Sequence, residues 1–270
     1  MNWDWYSATV ETVADHAVAE LMAGQDLADV QPSRGLYSYS HGCEVRRGDR
    51  ELAKVFWGGV NGDGHVHIQA SGSHTGQVVE TIRRCWPDHR VSRADSCQDW
   101  SGPKVWRRVS KIAIAVAAEW GLTVSTVGDW IHARGGRTLY IGAKSARLQM
   151  RVYEKGKQLG LDPLWVRMEL QARPSGAAGK SALSTVSPGQ LMEVSGWTRE
   201  IARKVGLPEL EACKIRNPWT PSDDDKALRW CVQQYGACFG RKAQSLGGWA
   251  ELGLFLGGEV TSPTMIKKPN

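Results

Sequence analysis

The sequence predicts an α+β fold, in which helices pack on a mainly antiparallel, curved β-sheet and a helical C-terminal region follows. Three observations predict it. Short runs of alternating apolar and polar residues recur up to residue 172, tight turns separate them, and helical periods prevail after residue 179. Residues 1–215 are predicted to form one domain, and residues 216–270 a helical region that ends in a disordered tail.

Each element is assigned from its own residues. The alternating runs predict strands at 5–10, 37–45, 52–57, 65–71, 91–95, 122–131, 138–143, 148–153 and 165–172. Apolar residues at helical spacing predict helices at 11–23, 77–85, 104–120, 183–194, 198–205, 223–238 and 243–256. Glycine, proline and polar clusters predict turns at 47–50, 61–64 and 134–137, a flexible connector at 173–179, and a boundary at 217–222.

The composition excludes several classes of protein. The chain has 270 residues, of which 41% are hydrophobic and 23% charged, as in ordinary globular domains. No window approaches 18 uninterrupted apolar residues and the first residues do not resemble a secretory signal, so we expect no membrane partner and a cytoplasmic location. The six cysteines lack the C-x2-C spacing of zinc sites, and we expect all of them to be reduced.

Positive charge is concentrated in the middle of the chain. The formal net charge is +6, yet residues 103–173 alone hold 13 Lys and Arg against 5 Asp and Glu. Such an excess is typical of a surface that faces phosphates, although a solvated face is the simpler interpretation of any charge run. The residues predicted to contact a nucleic-acid backbone or its bases in this region are Lys144, Ser145, Arg147, Arg137 and Tyr140.

Two histidines and a glutamine alternate along one predicted strand. His65, His67 and Gln69 point to the same side of that strand because side chains alternate with a period of two. Imidazole nitrogens and amide oxygens bind divalent cations, so His67 and Gln69 are candidate metal ligands. The alternative is a polar strand surface that faces solvent.

Carboxylates occur on two further predicted strands. Asp95 stands at a strand end on the same face as Arg93, and Asp99 follows in a predicted turn. Glu169 shares a strand face with Arg167. Carboxylates in such positions are natural ligands of hard cations such as Mg²⁺ or Mn²⁺, whereas arginine–carboxylate ion pairs are the structural alternative.

A tyrosine lies among cations on another predicted strand. Arg151, Tyr153 and Lys155 alternate onto one face. Neighbouring cations are expected to lower the pKa of the Tyr153 hydroxyl and to stabilise its phenolate as a nucleophile. The alternative is a surface strand whose tyrosine packs its ring. Tyr140, in a Y-I-G turn, is the second candidate nucleophile.

Four motifs follow one another between residues 57 and 173. They are W-P-D-H-R-V-S-R-A-D-S-C-Q-D-W at 86–100, G-R-T-L-Y-I-G-A-K-S at 136–145, R-V-Y-E-K-G at 151–156 and W-V-R-M-E-L at 165–170. In order and spacing they resemble the replication initiation factor family, which includes initiators of rolling-circle plasmids, replication proteins of filamentous phages and related conjugative relaxases.

The resemblance implies roles for particular residues. It makes Tyr153 the nucleophile, and it makes Asp95 and Glu169 ligands of a divalent metal, Mg²⁺ or Mn²⁺. Relatives carry an acidic residue where this chain has Gln69, so His67 or a water is left as the third ligand. The same histidines also match the His-hydrophobic-His/Gln motif of the other class of rolling-circle nickases, which would make histidine the dominant ligand.

The resemblance also implies an activity. Residues 1–215 would be the catalytic domain of a rolling-circle replication initiator, a metal-dependent site-specific DNA nickase and strand transferase with a 5′-phosphotyrosine intermediate. Its partners would be single-stranded or hairpin DNA at an origin or transfer site, a host helicase and a second copy of the chain. The alternatives are a conjugative relaxase with the same chemistry, a DNA-binding protein without catalysis, and a metal hydrolase without a covalent intermediate.

Overall fold

The computed structural model describes residues 1–23, 28–60, 64–208 and 223–260. The chain divides into two compact units, Met1–Pro218 and Trp219–Asn270. The predicted boundary segment 217–222 and the predicted disordered tail 261–270 lie outside the described residues. The assignment of residues 1–215 as a catalytic domain stays a prediction.

The described part of the first unit contains one ten-stranded sheet. Its strands are β1 (Asn2–Glu11), β2 (Ala28–Arg34), β3 (His41–Arg47), β4 (Arg50–Trp57), β5 (His65–Ser71), β6 (Arg90–Ser101), β7 (Val124–Val127), β8 (Thr138–Ile141), β9 (Leu148–Tyr153) and β10 (Trp165–Ala172). The order across the sheet is β2-β3-β4-β5-β1-β6-β10-β9-β8-β7, and all neighbours are antiparallel. The predicted α+β class is confirmed.

Helices follow the strands at several points and close the chain. They are α1 (Ala14–Met22), α2 (Thr75–Cys85), α3 (Val105–Glu119), α4 (Lys155–Leu159), α5 (Gly176–Ala182), α6 (Pro188–Leu191), α7 (Gly196–Val205), α8 (Asp223–Leu246) and α9 (Trp249–Val260). Helices α1 to α7 belong to the first unit, and α8 and α9 belong to the second. Among the described helices, none is long and apolar enough to cross a membrane.

One face of the sheet forms the hydrophobic core together with helices. Alternation along the strands places Tyr6, Ile68 and Met168 on this core face, where all three are fully buried. Ile82 of α2 and Val109 of α3 belong to the same buried cluster. Burying a side chain of this size contributes roughly 1.5–3 kcal/mol, so the alternating pattern decides which face is covered.

The opposite face of the sheet is rich in polar side chains. The antiparallel registers place residues of five neighbouring strands on it, and we call this side the polar face. Its central members are Thr9, His67, Asp95, Glu169 and Arg151. The predicted alternation of β10 is confirmed, because Val166, Met168 and Leu170 are buried in the core while Glu169 faces the other way.

Strand β6 is longer than the sequence predicts. It spans Arg90–Ser101 rather than 91–95, so Asp99 lies within a strand and not in a turn. The strand pairs with β1 over its first part and with β10 over Ala94 to Ser101. The S-C-Q-D stretch lacks a strand-forming pattern, and its extended conformation comes from pairing with β10.

Other strands and helices also differ from the elements that the sequence predicts. Strand β2 was not predicted, since its mostly exposed residues include Pro32, which is tolerated because β2 is the edge of the sheet. Segment 37–40 lies outside the strands, and β7 ends at Val127. Helix α5 begins inside the predicted connector, and the predicted helix 183–194 contains a 3₁₀ turn and the short helix α6. Strands β9 and β10 have the predicted bounds.

The second unit consists of α8 and α9 in its described part. Ala243 and Leu252 are buried in this unit, whereas Leu228, Val232 and Tyr235 of α8 are exposed. The helical character of the C-terminal region is therefore confirmed. Five of the six cysteines are described, and none of these five is paired in a disulfide.

Candidate active site

The polar face gathers candidate residues from three neighbouring strands. Across β9 and β10, Tyr153 pairs with Arg167, and Arg151 pairs with Glu169. Across β10 and β6, Gln171 pairs with Asp95. Because all of these side chains point to the same side of the sheet, the predicted nucleophile, cation and carboxylates form one cluster.

The Tyr153 hydroxyl is bonded to a carboxylate. It donates a hydrogen bond to Glu169 Oε2 at 3.2 Å. The Arg151 guanidinium lies 5.0 Å from the centre of the tyrosine ring, and Lys155 Nζ lies 5.5 Å from it. Only 4% of the tyrosine surface is exposed. The structure thus brings the three predicted catalytic residues together, with the hydroxyl directed at Glu169.

The prediction that the Tyr153 pKa is lowered overall is wrong. Burial is the largest cause and raises the pKa well above its ordinary value, and the charge of Glu169 raises it further. Arg151 and Arg167 act in the opposite direction but are outweighed. Tyr153 is therefore a neutral phenol that donates to Glu169 in this structure, and it needs a proton acceptor in order to act as a nucleophile.

Glu169 is a buried carboxyl group, and one of its two oxygens lacks a hydrogen bond. It is 1% exposed and forms an ion pair with Arg151, whose Nη2 donates to Oε2 at 2.7 Å. Oε1 lies 2.6 Å from the same nitrogen, yet among the described residues it has no hydrogen bond of acceptable geometry. Burial raises the pKa of Glu169 to about 7 against the opposing effect of Arg151, and the charges of Asp4 and Asp95 add to the rise.

Asp95 is also buried and paired. Its carboxylate accepts from Arg93 Nε at 2.9 Å, contacts Arg93 Nη2, and accepts from Gln171 Nε2 at 3.3 Å. The ion pair that the sequence left open as an alternative is therefore present. Asp95 and Glu169 are diagonal neighbours on β6 and β10, because Gln171 stands opposite Asp95.

The sequence interpretation missed Asp4. The register of β1 against β6 shifts between Trp3 and Trp5, and the Asp4 carboxylate contacts Arg167 and lies 4.0 Å from Arg151. A bulge of this kind redirects one side chain of a strand. An acidic residue between two tryptophans, directly before the predicted strand 5–10, was the available signal. The bulge itself depends on the pairing of β1 and is not visible in the sequence.

Arg167 is held by two carboxylates at the other end of the cluster. Asp99 accepts from its Nε and Nη2, both at 2.7 Å, and the Asp4 contact completes the set. Asp99 is brought here because β6 continues past its predicted end. The network of carboxylates and arginines therefore extends from Asp95 to Asp99 along one side of β10.

His67 and Gln69 lie elsewhere on the polar face. Both are on β5, which β1 separates from β6. His67 Nδ1 lies 3.3 Å from Thr9 Oγ1, and Gln69 accepts from the Tyr37 hydroxyl at 2.9 Å. Burial, as the largest cause, lowers the pKa of His67 to about 4, so the ring is neutral at neutral pH. Their assignment as metal ligands stays a prediction.

The two central carboxylates, Asp95 and Glu169, are the residues of the cluster that would hold a divalent cation. Among the described residues, no group of three or more His, Cys, Asp or Glu side chains is arranged to hold a metal ion. Nevertheless, Glu169 Oε1 is buried and, apart from its ion-pair contact with Arg151, has no hydrogen bond among the described residues. Burial raises the Glu169 pKa, and the charges of Asp4 and Asp95 add to the rise. A cation at Asp95 and Glu169 would give this oxygen a further contact and offset the acidic charge, and carboxylate oxygens fit Mg²⁺ or Mn²⁺.

The predicted DNA-binding residues fall into two groups. Lys144, Ser145 and Arg147 are exposed in the loop between β8 and β9. Tyr140 is half-buried and stands opposite Arg151 in the register of β8 and β9. Arg137 instead packs its guanidinium 4.9 Å from the centre of a Trp106 ring and binds Glu154. For all five residues, DNA binding stays a prediction.

Residues that directly follow Tyr153 hold the end of β9 in place. Glu154 accepts from Arg137 Nε at 2.8 Å and from Arg137 Nη2 at 2.9 Å. Gly156 lies so close to the next loop that an added Cβ would be 1.5 Å from the Asp162 carbonyl oxygen. The acidic residue and the glycine of the R-V-Y-E-K-G motif therefore position the tyrosine that precedes them.

We expect Glu154→Ala to lower the free energy of unfolding by about 3 kcal/mol, because it leaves Arg137 and Lys157 without their buried counter-ion. Urea denaturation measures the change. Glu119→Ala is the matched control, since Glu119 pairs with Lys204 at a half-exposed site and should cost about 1 kcal/mol or less. Equal losses in the two variants would contradict the role of Glu154 as an anchor.

Comparisons with known proteins agree with the motif-based resemblance. Residues 121–179 match the model of a family described as replication initiation factor. The fold is similar to that of a rolling circle replication initiator protein from Geobacillus stearothermophilus, with a TM-score of 0.53 and 17% sequence identity over 83% of this chain and 89% of the other. None of the curated proteins matches the chain.

These findings confirm the resemblance to replication initiation factors and show a shared fold. The matched segment runs from before β7 into α5, and it contains Tyr153, Arg151 and Glu169. Asp95 and His67 lie outside it. The part of the cluster that carries the tyrosine is therefore also the part that the family model covers.

Proposed function

We propose that the chain initiates rolling-circle replication as a metal-dependent, site-specific DNA nickase and strand transferase with Tyr153 as its nucleophile. One observation carries the proposal: the Tyr153 hydroxyl donates to the buried Glu169 carboxylate on the polar face. The match to replication initiation factors and the fold shared with a rolling circle replication initiator protein support the same conclusion.

Chemistry begins with proton transfer from the tyrosine. Glu169 Oε2 takes the hydroxyl proton of Tyr153, and the phenolic oxygen attacks the scissile phosphorus in line with the bond to the 3′ oxygen. The phosphorus–O3′ bond breaks, and the tyrosine becomes esterified to the 5′ phosphate. The 3′ oxygen receives a proton in turn, so a free 3′ hydroxyl is produced and no proton is gained or lost overall.

Arg151 and Lys155 bind and orient the phosphate. Both lie over the tyrosine ring, so their charges are placed to attract a phosphate that approaches the hydroxyl. Asp95 and Glu169 would hold the divalent cation. When bound, a divalent cation supplies positive charge that neutralises the phosphate oxygens and offsets the carboxylates around Tyr153.

The covalent link allows the strand to be transferred. The phosphotyrosine keeps the energy of the phosphodiester bond, so attack by a 3′ hydroxyl reseals DNA without ATP. The basic loop at Lys144, Ser145 and Arg147 would hold the backbone of single-stranded or hairpin DNA beside the site. A host helicase and a second copy of the chain remain the proposed protein partners.

The test is to capture the covalent intermediate. A supercoiled plasmid library with random inserts is incubated with the protein and Mn²⁺, and adducts are recovered on a denaturing gel. We expect plasmid DNA attached to a peptide that contains Tyr153, and sequencing of the attached strand gives the target site. Nicked plasmid without any adduct would indicate a metal hydrolase, and bound but intact plasmid would indicate a DNA-binding protein without catalysis.

A further inference from the structure

A second feature of the polar face lies away from Tyr153. A cleft of about 600 Å³ opens there, and its lining includes Thr9, Tyr39, Arg90 and Lys180. Lys180 belongs to α5, whereas Thr9 and Arg90 are paired neighbours on β1 and β6. Helix and sheet therefore form the cleft together, and the mechanism above uses none of these residues.

Tyr39, which lines this cleft, belongs to an aromatic stack. Tyr39 stacks on His67 with ring centres 5.9 Å apart and an angle of 24° between planes. Phe56 lies at 6.3 Å and 30° from the same imidazole, and Tyr37 meets it edge-on at 5.6 Å. Phe56 is fully buried although it is on the polar face. The stack is thus anchored in the sheet, and Tyr39 is its member at the cleft.

The loop that carries Tyr39 has an uncommon backbone. Tyr37 and Ser38 both have positive φ, at 56° and 68°, a conformation that residues other than glycine rarely adopt. Strained segments persist where the surroundings determine them, and they are frequent at ligand sites. Here the left-handed conformation of Tyr37 and Ser38 brings Tyr37 and Tyr39 against the imidazole of His67. The stack that contains Tyr39 therefore has a defined geometry before any ligand binds.

Two cations face the cleft without acidic partners. Within the described part of the chain, neither Arg90 nor Lys180 forms an ion pair, although most other cations of the polar face do. Lys180 is near enough to His67 to act on its charge. His65, which also lines the cleft, lies 3.6 Å from the exposed carboxylate of Glu11. The cleft therefore offers positive charge to an anion.

The register places the cleft in line with the proposed active site. Thr9 pairs with Arg90 on one side and His67 on the other, and all three lie on the polar face. On β6, Arg90 lies five residues from Asp95 and nine residues from Asp99, which is level with Tyr153 through Arg167. These separations correspond to about 17 Å and about 30 Å along a strand. An extended polynucleotide that enters at Tyr153 and follows β6 would reach the cleft.

We propose that this cleft binds one unpaired nucleotide of the DNA strand, about 30 Å along β6 from the tyrosine that attacks the scissile phosphate. The base stacks on Tyr39, and Arg90 and Lys180 hold its phosphate. An aromatic platform beside unpaired cations is the arrangement by which proteins bind single strands. The identification of the ligand as DNA rests on the proposed function, and the cleft itself adds a site that selects single-stranded over duplex DNA.

Binding of fluorescein-labelled (dT)12, followed by fluorescence anisotropy in EDTA, tests this site without metal or cleavage. We expect Tyr39→Ala to raise Kd about tenfold and Tyr39→Phe, which keeps the ring, to change it less than about twofold. Lys180→Ala should weaken binding and reduce the salt dependence of log Kd by about 0.7. Lys111→Ala, an exposed lysine of α3, is the matched control and should leave both unchanged.

Thermal unfolding checks that each variant is folded, and Lys180→Ala keeps the test valid if Tyr39→Ala does not fold. Wild-type affinity of Tyr39→Ala for (dT)12 would overturn the proposal, as would equal affinity of the wild-type protein for a 12-base-pair duplex. Because this assay involves no cleavage, its failure would leave the adduct experiment standing. Conversely, absence of an adduct would refute the proposed nickase while single-strand binding could still be measured.

Discussion

Replacing Tyr153 by phenylalanine is expected to reduce DNA nicking by on the order of 10⁴-fold or more, because the attacking oxygen is removed. The ring that Arg151 and Lys155 cover is retained, so folding and DNA binding should change little. The measurement is conversion of supercoiled plasmid that carries the recovered target site to the open circular form. A gel shift with the same site reports binding separately.

Tyr140→Phe is the matched control for this prediction. Tyr140 stands opposite Arg151 on the neighbouring strand. The hydrogen bond to Glu169 comes from Tyr153. We expect its nicking activity to remain near that of the wild-type protein. Full nicking by Tyr153→Phe together with loss in Tyr140→Phe would exchange the roles of the two tyrosines and refute the assignment.

Glu169→Gln should reduce the cleavage rate by about 10²–10⁴-fold, the range that a general base contributes. Glutamine keeps the size of the side chain, but it cannot take the Tyr153 proton. It also removes one anionic oxygen that would bind the divalent cation. Single-turnover cleavage of the target oligonucleotide at saturating DNA and Mn²⁺ separates this loss from weaker binding. Adduct formation should slow by the same factor.

Glu193→Gln controls for the loss of a buried carboxylate as such. Glu193 is also buried and pairs with Arg199 at 3.0 Å, but it precedes α7 and is remote in the chain from the proposed site. We expect Glu193→Gln to lower stability and to retain cleavage. If both variants lose stability equally and both cleave at the wild-type rate, then Glu169 acts only in a cross-strand salt bridge.

The reliable part of the sequence prediction is local. Strands β9 and β10 were predicted with the correct bounds because their apolar and polar residues alternate without interruption, and Val166, Met168 and Leu170 marked the core side correctly. Strand β2 and the second half of β6 were missed. Neither has such a pattern, and both are extended because a neighbouring strand supplies hydrogen-bond partners to their backbone.

The positions of Arg151, Tyr153 and Glu169 on their strands were predicted correctly, but the pKa of Tyr153 was not. Alternation along β9 was enough to expect Arg151 and Tyr153 on one face of that strand, and alternation along β10 was enough to expect Glu169 on the face opposite the core. The register brings the three together. The direction of the Tyr153 pKa shift was predicted wrongly, because neighbours can be counted in a sequence whereas burial cannot. Burial outweighs the nearby cations in this site.

The sequence by itself determined the fold class, the strands that carry the tyrosine and its carboxylate, and the resemblance to replication initiation factors. These depend on residue periods and motifs, which are properties of short segments. Only the tertiary structure decided that Asp4 joins the cluster through a bulge, that Tyr153 is a buried donor to Glu169, and that Tyr39, Arg90 and Lys180 share a cleft. Each of these depends on contacts between residues far apart in the chain, and such contacts are set by strand register and packing.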